Sequence, residues 1–292
     1  MPLQERMRAF YGSPEVEQLG GLRTSAREAA LRAIGEELSA LLLPEPVREV
    51  LGAMPAGALL QIDTAETWVP WEFLRCGRGP RAGFLGELFA LARSGLGSGV
   101  ARFARAPRLL VAPPTGAGLR REQQALGLLD PRLLRASRLS EIQPHLQEPG
   151  IAGWHITGHG AFDRGDRSAA LLHLQDGALT PAQFAPAQRF LKLGMRPPLS
   201  GTFVFLGVCE REAPRLPLQP AGVASWIERL QVAGAGAVLA TTWPVTEETA
   251  AHFAEVFYHA FSQGQPLAVA VAAAREAIRA EGDPSWLSFA AF

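Results

Sequence analysis

Short apolar runs bounded by glycine or proline recur along the chain: ALLQID at 58–63, PRLLVA at 107–112, GWHITG at 153–158, TFVFLG at 202–207 and AVLATT at 237–242. Runs of this length with no alternating polar face predict strands covered on both sides. Between and after them the apolar positions take a helical period, in LRREQQALGLLD, AGVASWIERLQVAGA, TEETAAHFAEVFYHAFSQG and LAVAVAAAREAIRAEG. Gly264 and Gly282 close the last two in C-cap fashion. Strands alternating with helices predict an α/β fold, a mostly parallel sheet flanked by helices on both faces. Ahead of them, residues 25–43 place Ala29, Ile34, Leu38, Leu41 and Leu42 near one helical face, and Pro44 and Pro46 stop the pattern. This segment reads as a docking helix.

Two stretches fit neither period. Residues 76–106 mix Gly, Arg and Ala and include GLGSG at 95–99, and residues 209–220, CEREAPRLPLQP, are rich in Pro and charge. Both read as loops. The chain shows no internal repeat, and the organisation expected is an N-terminal pseudo-domain layer over 1–105 packed on a core over 106–292.

Composition narrows the function classes. With 292 residues the chain can bury a sizeable core, and its 28 basic and 28 acidic residues leave no surplus to draw it to nucleic acid or an anionic membrane. Two cysteines, Cys76 and Cys209, are too few for a disulfide framework, and MPLQERMRAF does not resemble a signal peptide. A soluble protein in a reducing cytoplasm is expected, with no direct nucleic-acid or membrane partner.

Ligands and reactive groups gather where strands of an open α/β sheet end. His159 follows GWHITG and Cys209 follows TFVFLG after Val208. His159 stands about 50 residues upstream, about the histidine-to-cysteine distance of caspase-type peptidases, although the local caspase signature is absent from GVCER. A lone cysteine after an apolar strand is ordinarily a small core residue. Pairing with a histidine at an equivalent strand end points instead to a thiol nucleophile with an imidazole as base and then acid. Gly160 lacks a Cβ, so its N–H, with that of Cys209, could serve as an oxyanion donor. His155 lies inside its strand and reads as a buried, hydrogen-bonded structural residue. It and His159 would form a metal pair only on a helix, so no metal site is expected. His145, His173, His252 and His259 read as surface or helix residues, and Cys76 as a bystander in a loop. No GxxxxGK[ST] occurs to support a nucleotide switch.

Four blocks carry a family resemblance: VPWEFL at 69–74, HITGHGAFDRGDRSAALLHLQDGALTPAQF at 155–184, FVFLGVCE at 203–210 and GAGAVLATTWPVTEETAAHFAEVFYHAF at 234–261. In this order they resemble the CHAT domain, a caspase-like and separase-like group of clan CD cysteine peptidases. The resemblance implies a caspase-like sheet, His159 as catalytic histidine, Cys209 as nucleophile and no cofactor. Departures at Val208, Arg211, Glu212 and Glu247 bear on substrate preference. Similar peptidases cut a protein substrate after a trigger, so an activating sensor subunit or domain is implied, in the setting of a bacterial immune system. A CHAT-fold scaffold that binds a regulatory partner without cutting it is the alternative. The loop from Trp243 to Glu247 should emerge beside the nucleophile, and a carboxylate there, Glu247 or Asp163, would favour Arg or Lys in the substrate. Glu247 in the first turn of a helix would instead favour the helix dipole. Trp71 and Glu72 are expected to be structural, Glu72 with a buried partner such as an arginine.

Overall fold

The computed structural model describes residues 24–67, 69–95, 108–112, 118–130, 132–147, 151, 153–161, 171–184, 192, 194, 197, 199–209, 221–243 and 245–292, with the backbone alone at several positions, among them 159–161 and 208–209. The elements bearing on the site are helices α1 (Thr24–Leu42) and α2 (Glu45–Ala53), then β1 (Leu59–Asp63), β2 (Arg75–Cys76), β3 (Gly83–Phe84), α3 (Leu85–Leu88) and β4 (Ala90–Ser94). There follow β5 (Leu109–Val111), α4 (Leu119–Leu129), β6 (Leu134–Ala136), α5 (Leu139–Gln147), β7 (Gly153–Ala161) and the hairpin β8 (Leu171–Leu174) and β9 (Gly177–Leu179). The chain continues through β10 (Phe203–Cys209), α6 (Ala221–Val232), β11 (Ala237–Thr241), α7 (Glu247–Ser262), α8 (Leu267–Ala280) and β12 (Phe289–Ala291).

The main sheet runs β12-β11-β10-β7-β5-β6, antiparallel only at β12 and at the β8–β9 hairpin that extends β7. Strands β5 and β10, and β11 up to Thr241, are apolar because both faces are covered. Successive residues go to different cores. Leu110, Phe203, Phe205 and Leu239 join the cluster under α1, α4, α7 and α8, while Val111, Trp154, Ile156, Val204 and Leu206 join the one under α5 and α6.

Several sequence expectations are corrected. The stretch 76–106 is not a loop throughout, since its described part holds β3, α3 and β4, and Cys76 lies buried in β2. Of GLGSG, all but Gly95 lies outside the described residues, as do 210–220. The strand over 58–63 is β1, which pairs with β4 in a separate parallel ribbon rather than in the main sheet. Pro44 and Pro46 end α1 but also open α2, where proline's fixed φ suits the first turn. On α1 the buried face is Leu31, Ile34, Leu38 and Ser39, with Ala29 exposed.

The described segment from α1 to β4 and the main sheet share a core, and a buried ionic cluster joins them. Glu72, on a 3-10 turn at Trp71–Phe73, is met by Arg93 of β4 and Arg275 of α8, all three at most 4% exposed. The Arg275 guanidinium also donates to the Phe289 carbonyl at 2.9 Å, and Arg93 lies 4.5 Å over the Phe292 ring. The arginine partner expected for Glu72 is therefore double. Among the described residues no helix is long and apolar enough to cross a membrane.

Candidate active site

At the centre of the sheet β7 and β10 run parallel, with Phe203 opposite Gly153 and Phe205 opposite His155. The same register sets Cys209 opposite His159. Both residues lie within strands rather than beyond them, because the ladder continues through glycines that mark ends in the sequence pattern. Gly207 sits inside β10, where a Cβ would come within 2.9 Å of the Phe205 ring. Gly158 passes through φ 147°, a region that L side chains rarely adopt, directly before His159.

At the next residue β7 exchanges neighbours: Gly160 stands opposite Leu172 of β8, in antiparallel pairing. The chain also leaves β5 towards β6 on one side and β7 towards β10 on the other. The carboxyl ends of β5 and β7 thus flank the topological switch of the sheet, the place where open α/β sheets bind ligands. His159, Gly160 and Cys209 are brought to this edge together by the backbone. Asp163 lies outside the described residues.

The loop after β11 leaves the sheet from the strand next to β10. Its Trp243 is 4% exposed, packs edge-on against Phe73 at 6.2 Å, and accepts on its carbonyl from the Ser288 hydroxyl at 2.8 Å. The ring is committed to the core. Glu247 opens α7, whose N-cap Thr246 accepts from the Thr249 N–H at 3.1 Å, and a carboxylate in that turn complements the helix dipole. Gly118, at the start of α4, presses on this turn; a Cβ there would lie 2.4 Å from the Glu247 carbonyl oxygen.

Below the His159 position, β7 carries a buried polar group. His155 is 0% exposed, stacks on Phe205 at 4.4 Å between centroids, and its Nδ1 lies 2.9 Å from the Tyr258 hydroxyl. Its Nε2 faces Glu122 Oε1 at 3.6 Å, and the Thr157 hydroxyl donates to the same oxygen at 3.3 Å. Burial, and then the nearby Glu122 charge, hold the Tyr258 phenol well above its ordinary pKa, so it remains a hydroxyl. Elsewhere, burial pushes the Cys76 thiol up, away from reactivity. Among the described residues no group of three or more His, Cys, Asp or Glu is placed to hold a metal ion.

A family model described as "CHAT domain" matches residues 32–289, most of the chain. The chain belongs to the CHAT domain family. Comparison with solved structures finds the Saccharomyces cerevisiae separase–securin complex at 15% identity and TM-score 0.45, covering 77% of this chain. It also finds the Arg-specific cysteine proteinase gingipain R at 9% identity and TM-score 0.46, covering 99%. The chain spans 14% of the separase chain and 74% of the gingipain chain. Comparison with curated protein sequences gives no match.

Sequence reasoning placed His155 correctly in this CHAT domain but missed Glu122, Thr157 and Tyr258, which surround it. Tyr258 was legible in part, as the polar member of the apolar face of AEVFYHAF. Glu122 sits in the charged string LRREQQ, where only tertiary packing tells a buried carboxylate from an exposed one.

Proposed function

We propose that this CHAT domain is a cytoplasmic cysteine endopeptidase that cleaves a protein partner through His159 and Cys209, triggered by a sensor subunit or domain in a bacterial immune or regulatory system. The observation that carries the reading is the register of Cys209 opposite His159 at the carboxyl edge of adjacent parallel strands. Neighbouring strands lie about 4.8 Å apart, the closest approach a sheet offers two residues on different strands.

In the reaction, the Cys209 thiol gives its proton to His159 and the thiolate attacks the scissile carbonyl carbon. The N–H groups of Gly160 and Cys209 stabilise the oxyanion, the role for which a residue without a Cβ beside the histidine is suited. His159 then protonates the leaving amine as the C–N bond breaks, and a water deprotonated by His159 hydrolyses the thioester. Asp163 and the Trp243–Glu247 loop flank the scissile residue in this reading. Of that loop, the half-buried Glu247 carboxylate, rather than the buried Trp243 ring, would meet a basic side chain. The layer over 1–105 supports the core over 106–292 through the Glu72 cluster.

The test begins with an iodoacetamide-type probe at neutral pH. Cys209 should label far faster than Cys76, and His159→Ala should remove that advantage. A proteome-derived peptide library should then give products that Cys209→Ala does not. Slow labelling that His159→Ala leaves unchanged, or a product set shared with Cys209→Ala, would overturn the peptidase reading in favour of a binding scaffold.

A further inference from the structure

The turn between β8 and β9 is fastened to the start of α5, an element 36 residues away along the chain. The Asp176 carboxylate accepts from the Leu139 N–H at 2.5 Å and, on its other oxygen, from the Ser140 hydroxyl at 2.8 Å and the Ser140 N–H at 3.3 Å. The neighbouring Gln175 N–H donates to the Ser137 carbonyl at 3.0 Å. These bonds satisfy N–H groups that the first turn of a helix leaves without partners. The Ser140 hydroxyl, and then the Leu139 N–H, hold the Asp176 carboxyl below its usual range, so it is ionised at neutral pH.

The same hairpin lies against the candidate site. Leu172 of β8 stands opposite Gly160 and Leu171 opposite Ala161, while β9 pairs back on β8 with Leu179 opposite Leu172. Leu172 and Leu179 are at most 1% exposed and belong to the core under α5 and α6. The hairpin thus joins β7 at Gly160 to α5 at Asp176. Gly160 has no side chain with which to fix its own backbone, so the direction of its N–H is set by the strands beside it.

We propose that Asp176 is a positioning residue for the Gly160 N–H, acting by anchoring the β8–β9 hairpin to α5. The inference rests on the reading of His159 and Cys209 as a dyad with Gly160 as an oxyanion donor. Such a donor acts only in the transition state and must already be in place when the charge develops. Losing one donor outright costs about 10²–10³ in kcat, and a misplacement of about 1 Å costs on the order of 10². Releasing the hairpin turn shifts the donor rather than removing it, so an effect of about tenfold is expected. Alkylation by iodoacetamide makes no such demand. There the Cys209 thiolate displaces iodide from a saturated carbon, the C–S bond forming as the C–I bond breaks, and no oxyanion arises.

The experiment compares two rates in the full chain, unsubstituted and as Asp176→Ala: cleavage of the fastest-cut peptide from the proteome-derived library, and alkylation of Cys209 by iodoacetamide. Asp176→Ala should lower kcat about tenfold, with KM and the alkylation rate within about twofold. Asp176→Asn, whose side-chain oxygen can still accept at the start of α5, should fall between the two. An unchanged kcat, a loss confined to KM, or cleavage and alkylation falling in parallel would overturn the proposal. If Asp176→Ala does not fold, Asp176→Asn decides: a lower ratio of cleavage to alkylation supports the proposal, and an unchanged ratio refutes it. A failed dyad gives a different result. The unsubstituted chain then neither cuts the library nor labels Cys209 faster than His159→Ala does, and the proposal falls with it, whereas a failed Asp176 role leaves both properties intact.

Discussion

Glu72→Gln should be a severe change, because among the described residues it removes the one anion from a site that holds two guanidinium groups. Arg93 meets Glu72 through two nitrogens, one at 3.2 Å, and Arg275 approaches the same carboxylate at 3.4 Å. Each pair at such separation is worth about 4 kcal/mol at an effective dielectric of 20. Against the two pairs stands the cost of keeping the carboxylate itself out of water, several kcal/mol. The net loss is therefore ~3–5 kcal/mol, the range for breaking a buried pair and leaving its partner uncompensated. Even with Glu72 present the site has a surplus cation. Burial pulls the Arg275 guanidinium down to about 10, and its Nη1 is buried without a hydrogen-bond partner. With Glu72 present it stays charged at neutral pH.

For a chain of this size that loss corresponds to a fall of roughly 10 °C in thermal midpoint. Thermal unfolding followed by circular dichroism measures it, with Cys209 labelling as a check that the folded fraction keeps its site. Adding Arg275→Met should recover part of the loss, since it withdraws one of the two unpaired cations and leaves an apolar side chain in its place. A Glu72→Gln midpoint within about 2 °C of the unsubstituted chain, less than 1 kcal/mol, would refute the reasoning. So would a double variant less stable than Glu72→Gln alone.

Gly118→Ala should cost about 1–3 kcal/mol, because its Cβ would fall 2.4 Å from the Glu247 carbonyl oxygen, whereas Gly127→Ala on the same helix meets nothing within 4 Å and should gain up to about 1 kcal/mol; denaturant unfolding of both variants compares them. Asp176 accepts from the Ser140 hydroxyl and from the Leu139 N–H at the start of α5, bonds that hold its carboxyl below the usual 3.8. A depressed carboxyl stabilises the fold above its free value and loses that contribution as pH falls through the folded one, so the difference in midpoint between the unsubstituted chain and Asp176→Asn should be present at pH 6 and close below about pH 4.

What the sequence disclosed follows from how far the responsible interactions reach along the chain. The central strands were legible because cover on both faces leaves a local trace, an unbroken apolar run, in TFVFLG as in AVLATT. Their ends were not, because Gly158 and Gly207 look like breaks whether a glycine terminates a strand or lets the ladder continue past a bulky neighbour. β4 was hidden for a different reason. Its sequence ALARS carries Arg93, a charge that argues against burial until Glu72, 21 residues earlier, is known to face it. Glu122 repeats the case, its burial depending on His155 and Thr157, the latter 35 residues later. A candidate dyad can thus be read from strand-end residues alone, since sheet geometry brings neighbouring carboxyl ends together without help from any side chain. The buried charges beneath such a dyad cannot, because a carboxylate reveals its place only through the partners that bury it.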